Sequence, residues 1–504
     1  MKKTISTAIA YANGVPHIGH AFEFVMADTI SKYLKYKLGE ENVFFETGMD
    51  EHGQKIEQKA KELNIPVVEF TNSNAELFKK LDNELSVEYD FFVRTSDKDK
   101  HYIGAQYLWN KLLEANTLEK KEYTSMYCVG CEETKTDKDL NEKGECPTHL
   151  KVPEINKEVN WFFKLSKYTN IIKSKIESDE IAVFPQSRKN EILALLERGL
   201  DDVSFSRPKS KVSWGIPVPN DDTQVMYVWC DALSNYITAL GYGTDEWETG
   251  QDYWNDATHI IGKDILRFHA AIWPAMLLAA DLPLPKKILV HGFITSGGQK
   301  MSKSIGNVID PHDVIELFRP VCGELAGEAL RFILLQSIPT FDDGDLTIGS
   351  IKASYAGHLQ NGIGNQVNRI MKLSTQYISP EEISEIIIKL EKDKLGDEFE
   401  KLLNEYKINE ALSLTMNEVK SLDEYIQSTA PFKLFKKAYS EDKTEIVDQK
   451  SLNEAKEIIK NCLLRLGHIG HQLYFFMPRT AYAIYNTIKD NKMPEKAMFN
   501  RLDK

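Results

Sequence analysis

Short apolar segments alternate with amphipathic helical patterns along the first 113 residues. Apolar positions recur every three or four residues over 21–38 and 54–63, which is the period of a helix. The buried-strand candidates are residues 5–10, 43–45, 258–261 and 288–290. Strands that alternate with helices in this way predict a mostly parallel sheet with crossover helices. The alternation stops near residue 114 and returns near Met226.

Two other stretches have a different character. Between residues 115 and 225 the chain carries cysteines, charged turns and strand-like pieces, whereas beyond residue 351 the apolar positions follow a helical period. We therefore predict an α/β fold in which a parallel-sheet domain is split by an insertion and followed by a helical bundle. The predicted segments are 1–114, 115–225, 226–325, 326–350 and 351–504.

Composition bounds the class of protein. With 42% hydrophobic and 27% charged residues among 504, the chain is an ordinary globular protein that can bury several cores. The longest apolar run, residues 270–280, is about half of a membrane span, so we expect no integral membrane protein. The apolar start is short and broken by Ser6 and Thr7, which favours a buried strand over a signal peptide.

Charge is distributed unevenly along the chain. Lys and Arg number 62 and Asp and Glu number 75, a net charge of −13 that argues against a bulk electrostatic grip on nucleic acid. Residues 1–350 hold 39 basic and 53 acidic residues, whereas residues 351–504 hold 23 and 22. The near-neutral C-terminal part can therefore still contact a nucleic acid through individually placed side chains.

Three of the six cysteines are clustered and are followed by a histidine. The pairs Cys128-x2-Cys131 and Cys146-x2-His149 are separated by 14 residues, a spacing that suits one tetrahedral, structural zinc ion. Coincidental thiols are the alternative. The other three cysteines are scattered, and we expect each to be a small buried hydrophobic residue: Cys230, Cys322 and Cys462. Because six cysteines in so long a chain make no disulfide framework, we expect a reducing, cytoplasmic compartment.

The first motif that can carry chemistry joins a predicted strand to a predicted helix. Residues 13–20 read NGVPHIGH, so His17 and His20 lie three apart on one face of the first helical turn. The start of a helix attracts phosphate, to which two imidazoles can donate hydrogen bonds, and Gly19 leaves room for a flat base. A turn with two surface histidines is the alternative.

The second motif is a short loop with two lysines, GGQKMSKS at residues 297–304. The two glycines predict a hinge, about which Lys300 and Lys303 can bring two cations to a polyphosphate as charge develops. A solvated basic turn is the alternative.

Together, HIGH at 17–20 and KMSKS at 300–304 are the two signatures of class I aminoacyl-tRNA synthetases, and the chain resembles that family. It is similar to the methionine-specific members in GMDEHGQKI at 48–56, YVWCDA at 227–232 and HIIGKDILRFH at 259–269. The resemblance covers nearly the whole chain. It implies a Rossmann-like catalytic domain split by a zinc-bearing insertion, followed by an all-α helical-bundle anticodon-binding domain.

The resemblance also implies roles for individual residues. His17, His20, Lys300 and Lys303 would be catalytic and hold the phosphates of ATP, with Mg2+ bridging. The other implied ATP-binding residues are Gly19, Gly262, Asp264 and Ser302. The implied methionine pocket consists of Tyr11, Asp50, Trp229, Ala232, Leu233, Tyr236 and His291, with Asp50 receiving the α-ammonium. Taken without the family, Trp229 and Tyr236 are more often plain core.

A polar stripe marks the helical region, where Asn361, Asn365 and Arg369 recur at four-residue steps. A solvated helix face is the plain interpretation. By resemblance, Asn365 and Arg369 read the anticodon of tRNA(Met) together with Phe432, which stands where the family has tryptophan. Phenylalanine can still stack on an unpaired base.

The expected reaction is the activation of methionine with ATP to methionyl-adenylate, followed by transfer to the 3′ end of tRNA(Met). We expect a monomer that does not bind a membrane. A synthetase for leucine, isoleucine or valine would need room for an editing domain, and a cysteine-specific one would use its metal to bind substrate. A non-catalytic RNA-binding descendant would have no reason to keep His17, His20, Lys300 and Lys303.

Overall fold

The computed structural model describes residues 2–131, 133–135, 139–301, 307–440 and 444–502. Its contacts divide the chain into two compact units. The first unit consists of Met1–Gly14, Glu46–Ala75 and Asp90–Val290, and the second of Val15–Phe45, Glu76–Tyr89 and His291–Lys504. The five segments expected from the sequence stay a prediction, because the units group the chain in another way.

The strands and helices have the following bounds. The strands are β1 (Lys3–Thr7), β2 (Ala10–Tyr11), β3 (Val43–Asp50), β4 (Phe91–Arg94), β5 (Leu118–Cys128), β6 (Glu133–Lys135), β7 (Glu154–Phe163), β8 (Ala182–Phe184), β9 (Val203–Ser204), β10 (Ser206–Pro208), β11 (Pro217–Val218), β12 (Asp221–Met226), β13 (Ala257–Gly262), β14 (Lys287–His291), β15 (Ile294–Ser296), β16 (Gln299–Lys300) and β17 (Gly344–Asp345). The helices are α1 (Ile18–Leu38), α2 (Gln54–Glu62), α3 (Val67–Glu84), α4 (His101–Glu114), α5 (Thr169–Glu177), α6 (Gln186–Glu197), α7 (Val228–Leu233), α8 (Asn235–Thr238), α9 (Trp247–Trp254), α10 (Trp273–Ala279), α11 (Pro311–Cys322), α12 (Ala326–Ser337), α13 (Ile348–Ser354), α14 (Asn365–Tyr377), α15 (Pro380–Leu390), α16 (Asp397–Asn404), α17 (Ile408–Thr429), α18 (Pro431–Ala438), α19 (Gln449–Leu473) and α20 (Pro478–Lys489).

The first unit is built on a sheet of order β2-β3-β1-β13-β14-β8, with β4 beside β3. The pairs β2–β3, β3–β4, β1–β13 and β14–β8 are parallel. All six residues of β13 are buried, as is typical of a parallel strand covered on both faces. The expected α/β fold with a parallel sheet is therefore confirmed.

The insertion forms its own antiparallel sheet of order β6-β5-β7-β9 in the first unit. A ten-pair ladder between β5 and β7 runs from Leu118 opposite Phe163 to Tyr127 opposite Glu154. Cys128 is the last residue of β5, so this long ribbon carries the cysteine cluster at its far end.

The second unit is predominantly helical where the sequence pattern predicts helices. Ser379 begins α15 with a reciprocal capping box to Glu382, and α19 buries apolar residues at helical spacing such as Leu452, Ile459 and Leu466. In the part of the chain that the structure describes, no helix is both long and apolar enough to span a membrane.

One buried carboxyl in the parallel sheet is unusual. Glu46, in β3, is 1% exposed, and neither of its carboxylate oxygens has a hydrogen-bond partner among the described residues. Burial raises the pKa of Glu46 well above its ordinary range. The unfolded chain ionises this group freely above about pH 4.3, so the folded state loses stability relative to the unfolded state as the pH rises.

Replacing this carboxyl with an apolar side chain should stabilise the fold. We expect Glu46→Leu to raise the free energy of unfolding by about 1–3 kcal/mol, because an unsatisfied buried polar group is removed. The gain in thermal unfolding midpoint should be larger at pH 8 than at pH 5.5. The exposed Glu69→Leu serves as control and should change little at either pH. Equal gains at both pH values would show that Glu46 is not neutral in the folded state.

Candidate active site and metal cluster

The two histidines of the HIGH motif cap the first turn of α1. His17 is the N-cap, and its Nδ1 accepts hydrogen bonds from the backbone N–H of Gly19 (3.1 Å) and His20 (3.3 Å). His20 Nδ1 accepts in return from His17 N–H at 3.2 Å, and the two rings stack 3.7 Å apart. Partial burial and the neighbouring His17 lower the pKa of His20 well below its ordinary range.

This capping decides which imidazole atom can meet an anion. Because Nδ1 of both His17 and His20 accepts a hydrogen bond, the neutral rings carry their proton on Nε2. Each ring can therefore donate from Nε2 at a helix N-terminus, the position at which phosphate binds. A Cβ on Gly19 would lie 3.0 Å from the His17 ring, so a side chain there would crowd the cap. The sequence analysis did not predict that His17 and His20 cap the helix. The signal for it was the spacing of three residues between the two histidines at a helix start.

The Gly-Gly pair of the second motif forms a tight hairpin turn. Gly297 and Gly298 have φ of 64° and 73° and connect the antiparallel strands β15 and β16. The Asp345 carboxylate accepts from Gly298 N–H at 2.8 Å and from the Thr295 hydroxyl at 2.7 Å. These hydrogen bonds, the backbone one foremost, lower the pKa of Asp345. Lys300 ends β16, whereas Ser302 and Lys303 lie outside the described residues.

Several predicted site residues lie at the carboxyl ends of the parallel strands, where α/β folds bind ligands. Tyr11 ends β2 and is paired in register with Asp50, which ends β3 and is 9% exposed. Gly53 follows with a φ of 118°, and a Cβ there would lie 2.8 Å from the Tyr11 hydroxyl. Gly262 ends β13, and Asp264 is exposed in the next turn.

The helices α7 and α8 contribute an apolar wall to the first unit. Trp229 is half-buried and stacks on Phe268, with ring centroids 3.7 Å apart and planes 7° from parallel. Ala232 and Leu233, on the same short helix, are buried. Stacked aromatic rings beside small aliphatic groups make a polarisable apolar surface of the kind that suits a thioether.

Tyr236 adds a polar atom to this wall. Its hydroxyl lies 2.7 Å from His269 Nε2, while His269 Nδ1 lies 3.0 Å from the Ile265 carbonyl. A carbonyl can only accept, so His269 donates from Nδ1 and accepts the Tyr236 proton at Nε2. Burial lowers the pKa of His269 to about 4, so the ring is neutral at physiological pH.

His291 is the last residue of β14, so it also ends a strand of the parallel sheet. It belongs to the second unit, where its Nε2 lies 2.9 Å from Glu23 Oε2 and its Nδ1 donates to the Gly292 carbonyl at 2.8 Å. Tyr236 packs against the ring of His259, with centroids 4.2 Å apart, and its hydroxyl contacts His269, which was not among the predicted site residues. Its signal was present, because it ends the stretch at 259–269 that carries the family resemblance.

The four predicted zinc ligands converge at the end of the β5–β7 ribbon. Their ligand atoms all lie within 4.8 Å of one another. Cys131 Sγ lies 3.5 Å from Cys146 Sγ, and the three sulfurs lie 3.3–3.8 Å from His149 Nδ1. Tetrahedral zinc with bonds of about 2.3 Å to sulfur and 2.0 Å to nitrogen separates its ligand atoms by about 3.5–3.8 Å. The cluster therefore fits such an ion.

The predicted anticodon residues lie on two helices of the second unit. Asn365 begins α14 and is exposed, and Arg369, one turn further, forms an ion pair with Asp423. Phe432, at the start of α18, is 49% exposed. A large exposed aromatic ring and a partly exposed guanidinium are groups that stack on or bind unpaired bases.

Comparison with known proteins identifies the family. A family model described as tRNA synthetases class I (M) matches residues 3–152 and 148–371, more than half of the chain. The chain belongs to this family. The residues that match the family model span the parallel sheet, the insertion and the start of the helical region.

Individual relatives agree with this assignment. The chain is 36% identical to a methionine–tRNA ligase of Helicobacter pylori, over 98% of this chain and 74% of that one. It is 35% identical to a methionine–tRNA ligase of Rickettsia felis, over 100% and 95%. Among solved structures, methionyl-tRNA synthetase of Mycobacterium tuberculosis in complex with methionyl-adenylate is similar, with a TM-score of 0.87, 27% identity and coverage of 99% and 100%.

The hydrogen bonds of His269 predict its protonation state. With a pKa of about 4, His269 should stay neutral, with its proton on Nδ1, from pH 5.5 to pH 8. Nitrogen NMR of the protein with 15N-labelled histidine should show the signals of His269, assigned by their loss in His269→Gln, as those of a neutral Nδ1–H ring across this range. A midpoint near pH 6.5 for that signal would contradict the hydrogen-bond assignment.

Proposed function

We propose that this chain is a methionine–tRNA ligase of the cytoplasm, which activates methionine with ATP and transfers it to the 3′ end of tRNA(Met). The observation that carries the proposal is the similarity, along almost the entire chain, to methionine–tRNA ligases and to a synthetase structure bound to methionyl-adenylate. In the reaction, the methionine carboxylate attacks the α-phosphate of ATP and pyrophosphate leaves. The terminal ribose hydroxyl of the tRNA then attacks the adenylate carbonyl and AMP leaves.

The phosphate end of the site is assigned to the two motifs. His17 and His20 would donate from Nε2 to phosphate oxygens at the start of α1, with Gly19 keeping the backbone accessible. Lys300 and Lys303 would neutralise the charge of the leaving pyrophosphate, and Mg2+ would accompany ATP. The remaining proposed nucleotide contacts are Gly262, Asp264 and Ser302.

The methionine end is assigned to the strand ends and the wall of the first unit. Asp50 would receive the α-ammonium beside Tyr11, and Trp229 with Ala232 and Leu233 would face the side chain. His291 is kept as a proposed residue of this surface, and His269, which contacts Tyr236 directly, is our additional candidate. A neutral imidazole and a phenol give a thioether polarisable contacts without an unpaired charge, which favours methionine over charged side chains.

The anticodon end is assigned to the second unit. Asn365 and Arg369 would hydrogen-bond the bases and Phe432 would stack on one of them. Arg369 is paired with Asp423, so its guanidinium is already oriented on the helix surface. A base would therefore meet a guanidinium of fixed direction, which reduces the entropy lost on binding. Accordingly, we assign the predicted segment 351–504 to anticodon binding and segments 1–114 and 226–325 to catalysis.

The cysteine cluster would hold one structural zinc ion. Cys128, Cys131, Cys146 and His149 supply four ligands and leave no position for substrate. A Cβ on Gly130 would lie 2.5 Å from the His149 ring, so the turn between the first two cysteines has to be glycine for the cluster to close. Bound zinc would contribute folding free energy to the end of the ribbon, where neighbouring apolar residues such as Val129, Leu150 and Val152 are exposed and supply little core.

Amino-acid-dependent exchange of labelled pyrophosphate into ATP tests the proposed function. With the twenty standard amino acids supplied one at a time, methionine alone should support exchange. Exchange with leucine, isoleucine, valine or cysteine instead would assign a different synthetase. Absence of exchange with every amino acid would favour a non-catalytic RNA-binding protein.

The lysine loop has a quantitative prediction. Lys303→Ala should lower the rate of methionine-dependent exchange at least about a hundredfold, or about 2.7 kcal/mol of transition-state stabilisation, because a cation on the leaving pyrophosphate is lost. The exposed Lys496→Ala is the control and should exchange at the parental rate. An unchanged rate in Lys303→Ala would remove this residue from the mechanism.

Metal removal has a local prediction. After chelation, backbone amide hydrogen exchange should increase in the β5–β7 ribbon at a lower temperature than it does in the parallel sheet. The reason is that the proposed metal organises the insertion and not the sheet. Cys146→Ser should show the same local loosening without a chelator. Indistinguishable exchange with and without chelator in both regions would contradict a structural metal.

A further inference from the structure

A buried carboxylate is held between two histidines in the first unit. Asp231 is 0% exposed and accepts hydrogen bonds at both oxygens. His52 donates from Nδ1 at 2.7 Å and His101 donates from Nε2 at 2.8 Å. Both rings are themselves buried, so this three-residue cluster, which we call the Asp231 cluster, is shielded from water.

The far side of each ring also has a partner. His52 Nε2 lies 3.0 Å from the Tyr102 hydroxyl, and His101 Nδ1 lies 2.8 Å from the Thr238 hydroxyl. Burial by itself raises the pKa of Asp231, but the charge of His52 and the hydrogen bonds from both histidines outweigh it and lower the pKa. Asp231 is therefore an ionised carboxylate held directly by two histidines, each of which is held in turn by a hydroxyl.

The cluster joins the two elements that carry the methionine end of the site. His52 lies two residues after Asp50, just beyond the end of β3, and Asp231 lies on α7 between Trp229 and Ala232. The strand end and the helix are 179 residues apart in sequence at this contact. The hydrogen bonds of Asp231 therefore link the proposed ammonium site to the proposed wall for the methionine side chain.

We propose that Asp231, through His52 and His101, is a positioning residue that sets the spacing between the ammonium site at Asp50 and the wall at Trp229. The inference rests on the proposed function. Methionine must engage both ends at once, so a change in their spacing weakens its binding. ATP is contacted by other groups, and its binding is not affected by that spacing.

The test is the kinetics of methionine-dependent pyrophosphate exchange in Asp231→Asn. Asparagine keeps nearly the same volume but carries no charge, and its amide oxygen accepts from one histidine only, so the links that the carboxylate makes to both histidines are weakened. We expect the KM for methionine to rise about tenfold or more, with the KM for ATP within about twofold and kcat within about threefold of the parent. The matched control is Asp256→Asn, which removes a carboxylate paired with Lys3 before the start of β13, and which should leave both KM values unchanged.

A second pair of variants separates positioning from general stability. Glutamine can place a donor where His101 has Nε2, so His101→Gln should keep the KM for methionine within about threefold of the parent. His101→Leu has no donor and should raise this KM about tenfold. Because leucine packs well in a buried site, His101→Leu keeps the test decisive if Asp231→Asn does not fold.

The outcomes divide clearly. A raised KM for methionine in Asp231→Asn and His101→Leu, with rescue in His101→Gln, supports the positioning role. An unchanged KM for methionine in these variants, or a parallel loss of kcat and of affinity for both substrates, overturns it. Methionine-dependent exchange by the parent protein supports the proposed function, whatever the variants do. If the parent protein shows no exchange, the proposed function is rejected independently of the positioning role.

Discussion

The buried guanidinium of Arg331 holds together the chain segments of the second unit. It lies on α12, is 0% exposed, and pairs with Asp28 of α1 at 2.6 Å. Its remaining N–H groups donate to the backbone carbonyls of Leu85, Phe475 and Phe476, among others. A buried charge without partners costs several kcal/mol, so packing of the unit requires α1, residues 76–89 and the turn after α19 to surround this one side chain.

The same helix, α1, carries both Asp28 and the histidines of the HIGH motif. Asp28 is bound by both Arg331 and Lys32, which fixes the middle of the helix. The stacked pair of His17 and His20 caps the N-terminal end of the same helix. A rigid helix presents its N-terminal donors in one direction, which preorganises them for a phosphate that arrives later. The first unit uses the same physical device around the opposite charge, because Asp231 is the buried ion there and two histidines supply its donors.

The sequence by itself determined the elements and the type of chemistry. Apolar periodicity is a local property, so the helical pattern at 21–38 and the apolar run at 258–261 predicted α1 and β13 closely. The spacing of Cys128, Cys131, Cys146 and His149 is also local, and it predicted a cluster that the structure brings together. The motifs at 17–20 and 300–304 were specific enough to indicate the family before any contact was known.

Only the tertiary structure decided which distant side chains meet. Sequence alone could not show that His269 is the hydrogen-bond partner of Tyr236, because the two residues lie on different elements 33 residues apart. It could not reveal that His52 and His101 meet at Asp231, because these contacts span 179 and 130 residues. Hydrogen bonds of this kind are set by how elements pack after they form. The period of a helix or strand states which face is buried, and it carries no information on what that face will touch.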